Sequence, residues 1–254
     1  MISVYAASRG KGLADFLPPD TRVHIDFGGK LHELRNAAES SIPPNHGLSG
    51  RRMHFYFLCG IPDITSLLKE PEENYRESIF IEDPEITKNR YQNELLECQR
   101  SILERGAVPI FCTIPSVNID IYNKFLLSTG KTSKLCYANE YEKMQENIEK
   151  VIGPLNAYIY RLNNSIKVST PFLHDTIREK RGRKKNRYYM YKWDKFYDGL
   201  HPPSRERYPR TLLNKWGDLL TNAFQKNEDL EDSDEEPPTK RYCKFTPERP
   251  RENK

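Results

Sequence analysis

The chain has 254 residues, 37% hydrophobic and 30% charged, with a formal net charge of +4 at pH 7. No apolar run approaches the roughly 18 residues that mark a transmembrane helix, and the first residues carry neither the basic segment nor the apolar stretch of a secretory leader, so the expectation is an intracellular protein, nuclear or cytoplasmic, without a membrane span. About 225 residues suffice for one buried core, and the five cysteines, Cys59, Cys98, Cys112, Cys136 and Cys243, form no C-x-x-C pair and read as reduced, buried thiols rather than disulfides or zinc ligands; no metal or cofactor is expected.

Along the chain, strand and helix patterns alternate. Residues 2–7 (ISVYAA) form a short β-rich run, broken at Ser8-Arg9-Gly10-Lys11-Gly12. A short helix over 13–17 stops at Pro18-Pro19. Residues 22–27 (RVHIDF) alternate like a strand, Gly28-Gly29 turns the chain, and 30–39 has helical spacing through Leu31, Leu34, Ala37 and Ala38. Residues 53–59 (MHFYFLC) are almost continuously apolar, as a parallel strand buried on both faces must be. A long amphipathic helix spans 86–105 and ends at Gly106. Residues 107–114 (AVPIFCTI) are a second buried strand, and 139–163 are helical with a break or kink expected at Gly153-Pro154. A short strand is expected over 166–170. A closing helix spans 205–224, with Leu212, Leu213, Trp216, Leu219 and Leu220 on one face. Alternation of this kind predicts a parallel sheet covered by helices on both sides, whose ligand crevice lies at the carboxyl ends of the strands.

That rule gathers the chemistry-bearing residues. Ser8 follows the first strand, Gly28-Gly29 the second, Gly60-Ile61-Pro62-Asp63 the third and residues 113–116 the fourth, so these loops share one rim. Asp198-Gly199-Leu200-His201 precedes the last helix and is placed to close over it. A serine hydroxyl, a histidine and a carboxylate brought together in this way form a nucleophile, its base and the base's orienting group. Each residue also has a plain structural reading: Ser8 as a turn serine capping the next helix, Pro62 as a turn proline, His201 as a hydrogen-bonded loop histidine.

With these motifs in this order, the chain resembles the SGNH, or GDSL-type, hydrolases over roughly residues 1–225. The resemblance implies a three-layer α/β/α, flavodoxin-like domain with a central parallel sheet. It also implies an esterase acting on a small ester, with Ser8 as nucleophile, His201 as general base and Asp198 as its orienter. Ala6-Ala7-Ser8 stands where the family has G-D-S, Gly28-Gly29 where it has an oxyanion-hole glycine, Gly60-Ile61-Pro62-Asp63 where it has G-x-N-D, and Asp198 to His201 where it has D-x-x-H. Ala7 replaces the family's Asp. Pro62 replaces the Asn that donates to the oxyanion, and proline has neither a side-chain donor nor a backbone N–H. The amides of Ser8 and of Gly28 or Gly29 remain as donors. The outcome is an esterase with an impaired or altered oxyanion hole, or an inactive relative kept as a nucleic-acid- or protein-binding module. The G-G-K-L-H-E-L run is similar to SGNH-like domains carried by some mobile elements.

Two segments fall outside this pattern. Residues 178–187 (REKRGRKKNR) hold seven Lys/Arg and are followed by Tyr188, Tyr189, Tyr191 and Trp193. Dense cations beside aromatics suit phosphates and stacked bases, which makes Arg181, Arg183, Lys184, Lys185, Arg187, Tyr188 and Tyr189 candidate nucleic-acid contacts. A nuclear-import signal, a solvated loop, or a strand leading into Asp198 are the competing readings. Residues 228–236 (EDLEDSDEE) are acidic, then prolines and basic residues follow. The expected organisation is a domain over 1–226 and a disordered tail over 227–254, with Ser233 resembling an acidophilic-kinase site.

Overall fold

The computed structural model describes residues 1–44, 52–181, 188–203 and 211–232. In chain order its elements are β1 (Ile2–Ala7), β2 (Arg22–Asp26), α1 (Leu31–Ser40), β3 (His54–Leu58), α2 (Ile61–Ile64), β4 (Ser66–Glu70), β5 (Tyr75–Ile79), α3 (Pro84–Glu104), β6 (Val108–Phe111), α4 (Ile119–Ser128), α5 (Tyr141–Ser165), β7 (Arg178–Arg181), β8 (Tyr188–Tyr191) and α6 (Thr211–Asp232). Short 3-10 turns lie at Ser8–Gly10, Leu13–Phe16 and Leu173–Ile177, among others.

The central sheet is four-stranded in the order β2-β1-β3-β6, with every pair parallel. Because side chains alternate along a strand, its residues divide between two cores. Tyr5, Phe55, Phe57 and Phe111 pack with Leu31 and Leu34 of α1, Tyr91, Leu95 and Ile102 of α3, and Ile148, Val151, Ile152 and Leu155 of α5. Val4, Ala6, Tyr56, Leu58 and Ile110 face the other way, onto Leu212, Leu213, Trp216, Leu220 and Phe224 of α6 with Leu13, Leu173 and Ile177. Helices therefore cover both faces, and β3 is buried along its whole length, which is why its sequence shows no polar alternation. The fold is the expected three-layer α/β/α arrangement.

Four expectations change. Residues 166–170 are not a strand. Val168 N–H donates to Asn163 O at 3.1 Å and Ser169 N–H to the Asn227 side chain at 2.7 Å, so their donors go to helices. Pro171 accepts from Thr113 N–H at 3.0 Å but has no N–H with which to extend a ladder. Helix α5 runs through Pro154 without interruption. The last helix reaches Asp232 rather than ending at 224. Cys136 is exposed, whereas Cys59, Cys98 and Cys112 are buried free thiols as expected. Further elements have no counterpart among the expected ones: the antiparallel β4–β5 hairpin, the short helix α2, helix α4 and strand β7. Cys243, Ser233 and the rest of residues 233–254 lie outside the described residues. Among the described residues no helix is long and apolar enough to cross a membrane.

Candidate active site

Ser8 opens the turn that leaves the carboxyl end of β1. Its Oγ lies 3.0 Å from His201 Nε2, across 193 residues of sequence. His201 Nδ1 lies 2.7 Å from Asp198 Oδ2. With Asp198 accepting from Nδ1–H, Nε2 carries the lone pair that faces the serine hydroxyl. Asp198 is buried. Its Oδ1 accepts from the N–H groups of Leu200 at 2.9 Å and His201 at 2.6 Å. This short local loop aims one oxygen at the backbone and the other at the ring, so the carboxylate cannot swing away from the histidine.

The loop is itself clamped by α4. Gly199 O accepts from Asn118 N–H at 2.9 Å, and Tyr197 N–H donates to His201 O at 3.0 Å. Gly199 has φ +80°, and a Cβ there would lie 2.8 Å from Ile121 Cβ. The position thus needs glycine both for its left-handed backbone and for close approach to α4. Tyr122 of α4 meets the His201 ring edge-on, with centroids 5.9 Å apart. Burial, with the Asp198 charge adding to it, pushes the Tyr122 phenol up to about 12.

Arg9, next to the serine, belongs to none of the sequence motifs. It is 5% exposed. Its guanidinium donates to Ser116 O at 2.8 Å and to Pro115 O, and it sits 5.6 Å from the centre of the Phe196 ring. Burial draws its pKa down to about 9, partly opposed by attraction to Asp198. Arg9 thereby ties the serine turn to the loop after β6 and sets a cation near the buried aspartate. The one sequence signal for it is a charge placed directly after an apolar strand.

The remaining motif residues occupy the loops expected. Gly28 and Gly29 follow β2. Gly28 has φ +82°, and Gly29 N–H donates back to Asp26 O at 3.2 Å, closing the turn. Gly60 follows β3 with φ +118°, and a Cβ there would come within 2.6 Å of Ile114 Cδ1. Pro62 sits at the start of α2. Asp63 is buried and accepts from Leu31 N–H at 3.0 Å, which fastens the start of α1 to this loop; its second oxygen has no partner among the described residues. Burial raises the Asp63 carboxyl to about 7. Ser8, Arg9, Pro62, Pro115 and Leu200 line one small cavity at the ends of β1, β3 and β6. No group of side chains able to hold a metal ion occurs among the described residues.

Of the candidate nucleic-acid contacts, Arg183, Lys184, Lys185 and Arg187 lie outside the described residues. Arg181 is at the end of β7, where it bonds Glu179 at 2.9 Å. Tyr188 and Tyr189 begin β8, and Tyr189 is exposed with the Arg178 guanidinium 4.3 Å from its ring centre. The aromatic run is thus a strand leading toward Asp198, one of the alternatives its sequence allows.

No family model and no curated protein matches the sequence. Solved structures do. A proposed acylhydrolase of Bacteroides fragilis aligns with a TM-score of 0.53 at 12% identity, covering 90% of this chain and 86% of that one. A GDSL-like lipase of Bacteroides thetaiotaomicron aligns with a TM-score of 0.50 at 11% identity, covering 90% and 87%. At such identity the likeness is one of fold alone, and it extends over nearly the whole of each chain: this protein has the fold of the SGNH, or GDSL-type, hydrolases.

Proposed function

We propose that the protein is a serine hydrolase of SGNH type that cleaves esters. The observation that carries this reading is the continuous relay Ser8–His201–Asp198, with separations of 3.0 and 2.7 Å. Those are bonding distances for a nucleophile, its base and the base's orienter. Ser8 Oγ attacks the ester carbonyl carbon as its proton passes to His201 Nε2. The imidazolium so formed is stabilised by Asp198 and returns the proton to the leaving alkoxide as the C–O bond breaks. Water then repeats the sequence on the acyl-enzyme and restores Ser8. The oxyanion takes its hydrogen bonds from the Ser8 and Gly28 amides, since Gly29 N–H is engaged in its own turn and Pro62 has no donor. Loss of one such donor typically costs about a hundred- to a thousandfold in turnover, so the expected enzyme is slow. Its origin in a mobile element rests on the run from Gly28 to Leu34 alone.

A small-alkyl fluorophosphonate tests this reading. Wild type is expected to gain one adduct on Ser8, read by intact mass and peptide mapping, and Ser8→Ala none. Equal labelling of both would place the nucleophile elsewhere, and labelling of neither would favour a fold retained for binding.

One observation favours a second, compatible activity. The β7–β8 ribbon presents exposed Tyr189 and Met190 beside Arg178, Lys180, Arg181 and Lys192, and the intervening sequence adds Arg183, Lys184, Lys185 and Arg187. Glu179 engages Arg181 and Lys192, and Asp175 engages Arg178. The ribbon is read as a polyanion contact, with nucleic acid as its ligand. Each phosphate neutralised should steepen the log–log salt slope by roughly 0.9 on duplex DNA. Neutralising Arg183, Lys184 and Lys185 together should flatten that slope by about two to three in a fluorescence-anisotropy titration. An unchanged slope and affinity would leave the run as a solvated loop or an import signal.

A further inference from the structure

Arg9 follows Ser8 directly and is buried. Its two terminal nitrogens donate to the carbonyls of Pro115 and Ser116, the latter at 2.8 Å. Its third nitrogen, Nε, is also buried and meets no acceptor among the described residues. A buried cation whose N–H groups are not all met lowers stability. An apolar side chain of similar volume in place of a buried ionic group is often neutral or stabilising. Stability alone therefore does not favour an arginine at this position.

The carbonyls that Arg9 reaches belong to a braced segment. Residues 115–119 lie between β6 and the first residue of α4 and are held by α5. Gln145 donates to Val117 O at 2.8 Å and accepts from Ile119 N–H at 3.2 Å, and Glu149 accepts from Ser116 Oγ. Glu149 also accepts from Gln145 at 3.1 Å and from Tyr191 Oη of β8. The same segment holds the histidine loop, since Asn118 N–H donates to Gly199 O at 2.9 Å. It thus receives both halves of the relay: Gly199 stands between Asp198 and His201, and Arg9 stands next to Ser8. The serine turn itself is tight, with Lys11 N–H closing on Ser8 O at 3.2 Å, so a hold on Arg9 is a hold on the Ser8 peptide.

We infer that Arg9 is a positioning residue for the relay. By anchoring the serine turn to the segment that also carries the Asp198–His201 loop, its guanidinium sets the 3.0 Å approach of Ser8 Oγ to His201 Nε2. The inference rests on Ser8 being the nucleophile of the proposed hydrolase. Arginine suits the task because its planar fork meets two carbonyls at once in a fixed geometry, which a lysine ammonium does not. A reacting group misplaced by about 1 Å can lose about a hundredfold in rate.

The test compares wild type, Arg9→Lys and Arg9→Met in three measurements: the rate of fluorophosphonate labelling at Ser8, kcat and KM on p-nitrophenyl acetate, and the midpoint of urea unfolding. Arg9→Met is expected to lower kcat and the labelling rate by about tenfold to a hundredfold. Its KM should stay within about twofold of wild type, and its midpoint should be no lower. Arg9→Lys, which keeps the charge without the fork, should fall between the two. A folded Arg9→Met with wild-type kcat and labelling rate would overturn the inference. So would losses of rate that only follow a lowered midpoint, which is what a merely structural arginine predicts. If Arg9→Met does not fold, Arg9→Lys decides: a reduced kcat at an unchanged midpoint supports positioning, and a wild-type kcat overturns it. A wild type that neither labels nor hydrolyses would overturn the hydrolase reading itself, and this inference with it.

Discussion

Pro62 is where the sequence departs most sharply from the G-x-N-D pattern that the resemblance implies. In the proposed hydrolase it offers an oxyanion nothing, because its side chain is aliphatic and its nitrogen carries no hydrogen. Arg9 departs in the other direction. Burying a cation among carbonyl oxygens and one aromatic ring is costly unless its protons are well met, and Arg9 satisfies two of its nitrogens on Pro115 and Ser116. The consequence is a serine turn fixed to the loop after β6, with a positive charge held near the relay. On the proposed hydrolase reading, Pro62→Asn should raise activity. Restoring a side-chain donor should raise kcat by about tenfold or more, toward the range that one oxyanion donor supplies, with KM little changed because the contact forms in the transition state. Steady-state hydrolysis of p-nitrophenyl acetate reads this directly. An unchanged or lower kcat, in a variant that labels at Ser8 like wild type, would show that this loop does not face the oxyanion.

At the scale of elements, the apolar runs are the legible part. Strands β1, β3 and β6 and the helices over 84–104 and 141–165 follow from hydrophobic patterning within a few residues. What the pattern misses has a common cause: polar residues buried by partners far away in sequence. Glu77 interrupts any reading of β5 as a core strand, yet it is fully buried. It accepts from Tyr75 Oη at 2.6 Å, from the N–H groups of Cys136 and Tyr137 at 2.9 and 3.1 Å, and from Tyr141 Oη. That cluster fastens the β4–β5 hairpin to the start of α5, and nothing local announces it. Asn227 is the same kind of residue. Composition assigns it to the tail because acidic residues follow it, yet it is 2% exposed. Its Oδ1 accepts from Ser169 N–H at 2.7 Å, and its Nδ2 donates to Tyr56 Oη at 2.9 Å. It therefore holds the 166–170 segment, whose pattern alone suggests a strand. Asn227→Ala takes the acceptor from the partly buried Ser169 N–H and removes the Nδ2 donor to the Tyr56 phenol, and a donor left without its acceptor costs about 1–3 kcal/mol. Urea unfolding should show the midpoint falling with an unchanged slope. A stability equal to wild type would mean that the chain after 226 carries none of the fold.

For the whole molecule, the same principle bears on how stability depends on pH. The relay residues can be found from sequence because Ser8 and the Asp198–His201 pair sit at predicted loop positions. Three buried titratable groups cannot, since their state is set by packing. Burial holds His54 and His174 down to about 4 and Asp63 up to about 7. The histidines have folded values below the ordinary 6.5. As pH falls from about 6.5 to about 4 the unfolded chain takes up their protons first, so stability is lost across that window. Asp63 acts in the opposite sense. Its folded value lies above the ordinary 3.8, so its contribution is fully present below about pH 4 and is lost as pH rises through about 7. Each group is worth on the order of 2–4 kcal/mol, and two histidines against one carboxyl leave a net loss on mild acidification. Asp63→Asn isolates the opposing member while keeping an acceptor for Leu31 N–H. The variant should be more stable than wild type at pH 8, where wild type must hold a buried carboxylate with one unpartnered oxygen. The two should converge by about pH 4–5, so the variant's own loss of stability on acidification is the steeper. Urea unfolding of both proteins at pH 8, 6.5 and 4.5 reads the difference. Parallel curves across that range would mean that Asp63 titrates as an ordinary carboxylate, with its second oxygen reached by solvent.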